Sequence, residues 1–343
     1  ERSGLPEPVL DGWGEYLAPG SGGFGGWLGP YNSPTPGDIA DWIGDMIADL
    51  GAAMGLPHEP LVLDLDGDGI ELTSLADGVY FDLDGDAFAE RAGWVGADDG
   101  LLAIDNNSNG EIDDISELFG NYAAANGFAT LTAFDSNTDG KIDATDTNFG
   151  QIKVWQDANQ NGISEAGELK TLTEAGIVSI SLNTTAVNQT VNGNLISAVS
   201  TFTKSDTSTG TVAEAWFNRD LVNSVYVGDY TLSIEAMLLP KLNGYGQVAD
   251  LHIAMSLDSE LLDMVQALVL PTTNISAYPA AVEAIMYRWA GVENVDPESR
   301  GKFANAQHLA FLEKFLNFTF VQTTTATGQP RANAAVVIED VWH

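Results

Sequence analysis

The chain contains no cysteine, which excludes disulfide staples and thiol chemistry. A secreted protein without disulfides can use metal in their place. Basic residues are scarce too: 13 Lys and Arg stand against 49 Asp and Glu, for a net charge of −36. That balance argues against nucleic acid and against anionic membrane surfaces as partners. No apolar run reaches the ~18 residues of a membrane span. Only four histidines occur, His58, His252, His308 and His343, and none stands in a zinc-binding spacing. No Gly-x-Ser-x-Gly elbow, P-loop or dinucleotide fingerprint is present. The glycine-rich stretch from Gly20 to Gly29 neither follows a strand nor opens a helix, so it is no phosphate cradle. No signal peptide is visible. A chain starting at Glu1 in place of Met reads as a fragment, so that absence says little.

What remains is acidic and foldable. Hydrophobic residues make up 44 %, far above a disordered acidic tail. A chain of 343 residues can bury a substantial core, and its length suggests about two or three domains. From Glu59 to Lys170 there are 24 Asp and Glu against four Lys and Arg. Such an excess opposes compaction unless cations neutralise it.

The acids fall in five loops. Asp157-Ala-Asn159-Gln-Asn161-Gly162-Ile163-Ser-Glu165-Ala-Gly-Glu168 places side-chain oxygens at positions 1, 3, 5, 9 and 12 of a calcium loop, with glycine at the sharp turn of position 6. Position 7, Ile163, offers a backbone carbonyl. Asp135, Asn137, Asp139, Gly140, Lys141, Asp143 and Asp146 repeat the register, with the shorter Asp at position 12. These two loops are expected to bind calcium most regularly. Asp105, Asn107, Asn109, Gly110, Glu111 and Asp113 fit through position 9, but the bidentate candidate, Glu117, comes one residue late. Asp82, Asp84, Asp86 and Glu90 form a shorter cluster with Ala87 where glycine is expected. Asp64, Asp66 and Asp68 precede Gly69 and Glu71, with Leu75 at position 12. All five are candidate calcium sites; isolated acidic turns without metal are the plainer alternative.

Along the chain, residues 1–57 read as an arm rich in glycine and aromatics followed by an amphipathic helix from Ile39 to Leu50. Residues 58–190 form the calcium-binding stretch, with short strands such as Leu61–Leu63 and Val79–Phe81 paired between loops. Helices are expected over residues 128–134 and 165–172. Alternation at 177–182, 195–203 and 212–217 predicts strands, so that 191–235 is a β-hairpin region. Residues 236–343 read as helical, with apolar spacing over 257–268, 280–289 and 305–318, and with Asp296-Pro297 as a helix start. The fold class expected is therefore α+β: a calcium-loop domain with short strands and EF-hand-like helices, then a small β region and a helical carboxy-terminal region.

Longer strings carry a resemblance. Pro60-Leu-Val-Leu-Asp64-Leu-Asp-Gly-Asp-Gly-Ile-Glu71, Tyr80-Phe-Asp-Leu-Asp-Gly-Asp86, Gly93-Trp-Val-Gly-Ala-Asp98, Ser116-Glu-Leu-Phe-Gly120 and Val154-Trp-Gln-Asp157 resemble the self-processing module of large, iron-regulated RTX proteins of the FrpC type. Tyr226-Val-Gly-Asp-Tyr230, Asp250-Leu-His-Ile-Ala-Met255 and Tyr287-Arg-Trp-Ala-Gly291 look like the region that follows it. The resemblance covers most of residues 58–320. It implies type I secretion of an unfolded bacterial chain, folding on external calcium, and autocatalytic cleavage of an Asp-Pro bond at the module's amino end. The released aspartyl end can then join a lysine amine of another protein. The glycine-rich repeats that name the class do not occur in these residues.

At the junction this chain departs from that pattern: it has Glu59-Pro60 where the resemblance implies Asp-Pro. An attacking Asp closes a five-membered anhydride. Glu closes a six-membered ring and freezes one more rotor, at about 0.5–1 kcal/mol from entropy alone. Three readings follow: a calcium-loaded module that cleaves slowly or not at all, an active autoprotease and transpeptidase cutting before Pro60, and an adhesin or toxin segment whose helical half binds a partner.

Overall fold

A computed structural model describes residues 59–120, 126–270, 275–300, 305–317 and 319. The amino-terminal arm and the helix expected from Ile39 to Leu50 lie outside the described residues. The described residues from 59 to 270, with 315–317, make one compact unit, and those from 275 to 314 make a second.

The larger unit is built on antiparallel sheet. Its strands are β1 (Leu61–Leu63), β2 (Val79–Phe81), β3 (Phe88–Ala92), β4 (Gly100–Ala103), β5 (Lys141–Asp143), β6 (Lys153–Trp155), β7 (Leu169–Thr171), β8 (Ile177–Ser181), β9 (Thr185–Val191), β10 (Asn194–Lys204), β11 (Thr209–Trp216) and β12 (Arg219–Tyr226). Nine of them form one sheet in the order β5-β8-β10-β11-β1-β4-β6-β7, with β9 paired to residues 194–199 of β10 and β8 to residues 202–204; β12, β3 and β2 form a second.

The run Leu61-Val62-Leu63 is apolar at every position, and it is buried on both faces, as such a run must be. β1 pairs Leu61 with Glu214, Val62 with Ala213 and Leu63 with Val212 on one edge, and Val62 with Leu101 on the other. Alternation then divides the core in two. Val62 faces a cluster with Phe81, Trp94, Trp155 and Phe217. The Trp94 ring lies 5.1–5.5 Å from those of Phe81, Trp155 and Phe217. Leu61 and Leu63 face Leu102, Phe119, Phe128, Val154 and Val212 on the opposite side.

Helices are few in this unit. α1 (Gly127–Thr132) is capped by Asn126, whose side chain accepts from the Ala129 N–H. α2 (Ile234–Met237), α3 (Leu251–Leu257) and α4 (Ser259–Val269) follow the sheets, and Asp258 caps α4. In the second unit, α5 (Tyr278–Trp289) and the part of α6 (Ala306–Leu316) up to Lys314 are joined through Gln307, whose amide donates to the Val292 and Glu293 carbonyls just after α5.

The expected α+β class is corrected by this architecture, which is mostly antiparallel β-sheet and not a helix-flanked calcium-loop domain. Residues 165–172 do not form a helix. Gly167 takes a positive φ of 99°, which breaks the turn, and Leu169–Thr171 then pairs with β6, Trp155 opposite Leu169. A tertiary partner outweighs the local spacing there. The β region is not a small appendage either: β10 and β11 are the longest neighbours in the sheet that holds β1. The short strands expected between the loops form and pair, β1 with β11 and β4 and β2 with β3, so that β1 and β2 lie in different sheets. Asp296-Pro297 opens a turn, with Asp296 accepting from the Glu298 N–H at 3.0 Å, and no helix follows directly.

Because Leu63 is buried in the middle of the sheet, Leu63→Ala should cost about 2–5 kcal/mol. Urea melts at fixed calcium should show a lower midpoint with an unchanged slope. A cost below about 1 kcal/mol would contradict the two-sided packing of β1.

Candidate functional site

The turns that leave the strands gather carboxylates. Asp64 follows β1 directly, and its side chain accepts from the Gly67 N–H at 2.7 Å. Oxygens of Asp64, Asp66 and Asp99 lie within 4.8 Å of one another. Asp99 does not belong to the loop register. It arrives from the turn before β4 and is fully buried, accepting from the N–H groups of Leu65 at 3.3 Å and Glu71 at 2.8 Å. Burial pushes its carboxyl up to about 7, against the pull of those two N–H groups. Asp68 and Glu71 sit exposed beside the cluster. Both are raised, Asp68 by its contact with Asp66 and Glu71 by its contact with Asp98. The Asp98-Asp99 doublet next to an apolar strand was the available clue to Asp99, but its spacing to the loop is not a calcium-loop spacing.

Asp82, Asp84 and Asp86 form a second group with oxygens within 4.8 Å. Asp82 is buried and anchors the turn: Oδ1 accepts from Gly85 at 2.6 Å and Oδ2 from Ala87 at 2.8 Å. Ala87 stands at a φ of 70° where glycine was expected. Glu90, fully buried on β3, completes the group from below, and the Arg219 guanidinium lies 3.3 Å from Asp84 and 3.7 Å from Glu90. Burial, with Asp84 alongside, drives the Glu90 carboxyl up to about 9 despite Arg219; burial and Asp84 take Asp86 to about 6. Asp84 Oδ1 and Glu90 Oε2 are buried with no hydrogen-bond partner. One cation cannot cancel four acids, but this loop carries oxygens with nothing else to satisfy them, so the donor set fits a hard divalent ion.

The remaining loops share one hydrogen-bond scheme. Position 1 accepts from the N–H groups of positions 5 and 6: Asp105 from Asn109 and Gly110, Asp135 from Asp139 and Gly140, Asp157 from Asn161 and Gly162. The last acid then reaches back across the loop. Glu117 accepts from Asn106, Asn107 and Asp113; Asp146 from Ser136 and Asp143; Glu168 from Ala158 and Glu165. Glu117 thus takes the same place one residue late. Asn107 and Asn109 donate to Asp113, and Asn159 donates to Glu165. Glu111 is exposed, as are Lys141 and Ile163. The Lys141 ammonium holds Asp143 down at about 2. The fifth loop is fixed most firmly, because buried Asp157 also accepts from the Trp94 indole at 2.8 Å.

The Glu59-Pro60 junction is buried at the head of β1. The Pro60 carbonyl accepts from Ala215 at 3.1 Å, and the Leu61 N–H donates to Phe119 at 2.9 Å. Glu59 is fully buried, and burial pushes its carboxyl up to about 8, with the charge of Glu214 adding to it. Glu214 is itself buried, in the centre of β11. Its Oε2 accepts from Ser197 at 3.0 Å and its Oε1 from the Phe128 N–H at 3.4 Å. Sequence reading gave no reason to single out Glu214, since a lone acid in an alternating strand has no spacing that marks it.

A carboxyl held near 8 in the folded chain and near 4.5 elsewhere binds its proton more tightly when folded. Its contribution is full below about pH 4.5 and is lost as pH rises through about 8. Glu59→Gln mimics the protonated form. The variant should therefore match the parent near pH 4.5 and become progressively more stable than it towards pH 8 and above. Denaturant melts across this range at saturating calcium would show the gap opening, and parallel curves would refute the assignment.

Comparison with known proteins places this geometry. Residues 61–218 match the SPM domain. The chain is also similar to the iron-regulated protein FrpA of Neisseria meningitidis serogroup C, with 34 % identity over 293 residues. The alignment takes in 82 % of this chain but 26 % of the relative, so the chain spans about a quarter of that protein's length. The domain match begins at Leu61, the residue after Pro60, and together the two similarities support a relationship to proteins of the FrpA/FrpC type.

Proposed function

We propose that residues 59–218 are a calcium-dependent self-processing module of a secreted, RTX-type bacterial protein, in which cleavage at Glu59-Pro60 is slow. The observation that carries the calcium reading is the pair of partnerless buried oxygens, Asp84 Oδ1 and Glu90 Oε2, inside a cluster of four acids. Calcium would be held there by Asp82, Asp84, Asp86 and Glu90, and in the first loop by Asp64, Asp66 and Asp99, with Asp68 and Glu71 beside them. In the later loops Asp105, Asn107, Asn109, Asp113 and Glu117, then Asp135, Asn137, Asp139, Asp143 and Asp146, then Asp157, Asn159, Asn161, Glu165 and Glu168 are the candidate donors. Bound ions supply positive charge where carboxylates crowd, so binding and folding are coupled. No helix among the described residues is long and apolar enough to cross a membrane, which suits a chain exported whole.

The active reading, an autoprotease that can pass its new end to a lysine amine, is favoured by the burial of Glu59 beside Glu214 at the junction. The slow reading accounts for the extra methylene of Glu59. Both keep the same site and differ in rate.

Chelation should unfold the module. Excess chelator is expected to abolish near-UV dichroism and amide protection over residues 59–172, and returning calcium to restore both; protection unchanged in chelator would rule the coupling out. Glu59→Asp should accelerate calcium-dependent scission before Pro60. Removing one rotor is worth about two- to fivefold and better placement of the attacking oxygen more, at tenfold for each ~1.36 kcal/mol. Intact mass should give fragments 1–59 and 60–343; a folded, calcium-bound variant that stays whole would reduce the module to a scaffold.

A further inference from the structure

We propose that Glu214 is the proton-transfer partner of Glu59 at this junction, taking the proton of the attacking carboxyl and delivering it to the Pro60 nitrogen. The inference rests on the reading of Glu59-Pro60 as a processing junction.

The placement follows from strand geometry. Side chains alternate along a strand, so Glu59 continues the face of Leu61 and Leu63, and Leu61 stands directly opposite Glu214 in the antiparallel register. Two acids therefore enter the same apolar cluster, among Phe119, Phe128 and Val212, where a carboxylate has no packing role. Glu214 is held in place by Ser197, whose hydroxyl in turn accepts from the Trp216 indole at 2.7 Å. The peptide that follows the bond is pinned at both of its groups, the Pro60 carbonyl by the Ala215 N–H and the Leu61 N–H by the Phe119 carbonyl. Room beside the reacting carbonyl is kept by Gly120, the last residue of the Ser116–Gly120 motif: a Cβ there would lie 3.1 Å from the Glu59 carbonyl oxygen. The raised carboxyl of Glu59 means that it starts protonated and needs a base.

The reaction balances with these two acids. As a Glu59 side-chain oxygen bonds to the Glu59 carbonyl carbon, its proton passes to the Glu214 carboxylate and the carbonyl π pair moves onto oxygen. When that pair returns, the bond from the Glu59 carbon to the Pro60 nitrogen breaks. Nitrogen keeps the bonding pair and takes the proton from Glu214, which ends as the carboxylate it began as. The products are a six-membered cyclic anhydride on residue 59 and a free prolyl amine on residue 60. Water, or a lysine amine, then opens the anhydride.

The test uses the full chain with calcium, in the Glu59→Asp background, with scission followed by intact mass. Glu214→Gln keeps the size of the side chain and one of its two acceptor oxygens but can neither take up nor return the proton; Glu214→Asp keeps the carboxyl but shortens the reach. A proton-transfer role predicts that Gln slows cleavage about a hundredfold and that Asp retains more activity than Gln. A purely structural role predicts the opposite order. Cleavage of Glu59→Asp at the same rate with and without Glu214→Gln would overturn the inference and leave the junction reading intact. No cleavage in any of these chains, all folded, would overturn both. Should Glu214→Gln lack the calcium-induced near-UV spectrum, Ser197→Ala takes its place: it frees Glu214 and should slow cleavage about tenfold, and an unchanged rate would again overturn the proposal.

Discussion

Mutual repulsion of carboxylates at the strand ends is the constraint under which the larger unit folds. Asp82, Asp84 and Asp86 bring oxygens within 4.8 Å of one another, the first buried and the other two half-buried. At that separation each ionised pair costs about 1 to 3 kcal/mol, between bulk water and an effective dielectric near 20. A few such pairs rival the whole net stability of an ordinary domain, about 5–15 kcal/mol. The chain answers part of this with its own groups. Backbone N–H groups converge on Asp82, Arg219 approaches Asp84 and Glu90, and Lys141 neutralises Asp143. Four basic residues against 24 acids between Glu59 and Lys170 leave most of the charge unmet.

That charge is wired directly into the core. β1 is three residues long, lies between β11 and β4, and has Asp64 as its next residue. β2 ends at Phe81, in the aromatic cluster, and Asp82 follows it. In the fifth loop the link is a hydrogen bond, from the Trp94 indole to Asp157, across the centre of that same cluster. Strand placement and loop geometry are therefore not separable. Three-residue strands are too short to hold themselves, so what steadies the loops also steadies the sheet.

Much of this was readable where a local pattern carries the information. The alternating stretches that became β8, β10 and β11 were legible because one face of each is buried, and the apolar stripes of α4, α5 and α6 because helical spacing is local. The five acidic loops stood out because glycine and acid spacing is local as well. What was not readable depends on distant partners. Nothing near Leu61–Leu63 says that it pairs with residues 212–214, and nothing in 165–172 says that Leu169 will face Trp155 rather than continue a helical turn. Asp99 and Glu214 were missed for the same reason: each meets its neighbours from far along the chain, Asp99 through the Leu65 and Glu71 N–H groups 34 and 28 residues away and Glu214 through its pairing opposite Leu61, and neither stands in a motif.

The junction shows how such pairing can create chemistry that no short motif encodes. An extended residue before proline is favoured on steric grounds alone, so Glu59 runs straight into β1 and inherits its face. That face is apolar, which raises the carboxyl and makes it a poor nucleophile by itself. The same face receives Glu214 from the neighbouring strand, and a carboxyl that burial has disarmed acquires a base at the one position where a base is useful. An apolar residue in place of Glu214 would leave the Phe128 N–H and the Ser197 hydroxyl without this acceptor, so the acid has a structural part as well. A neutral amide could accept one of those hydrogen bonds, but only a carboxyl can also take up and return the proton at the 59–60 bond.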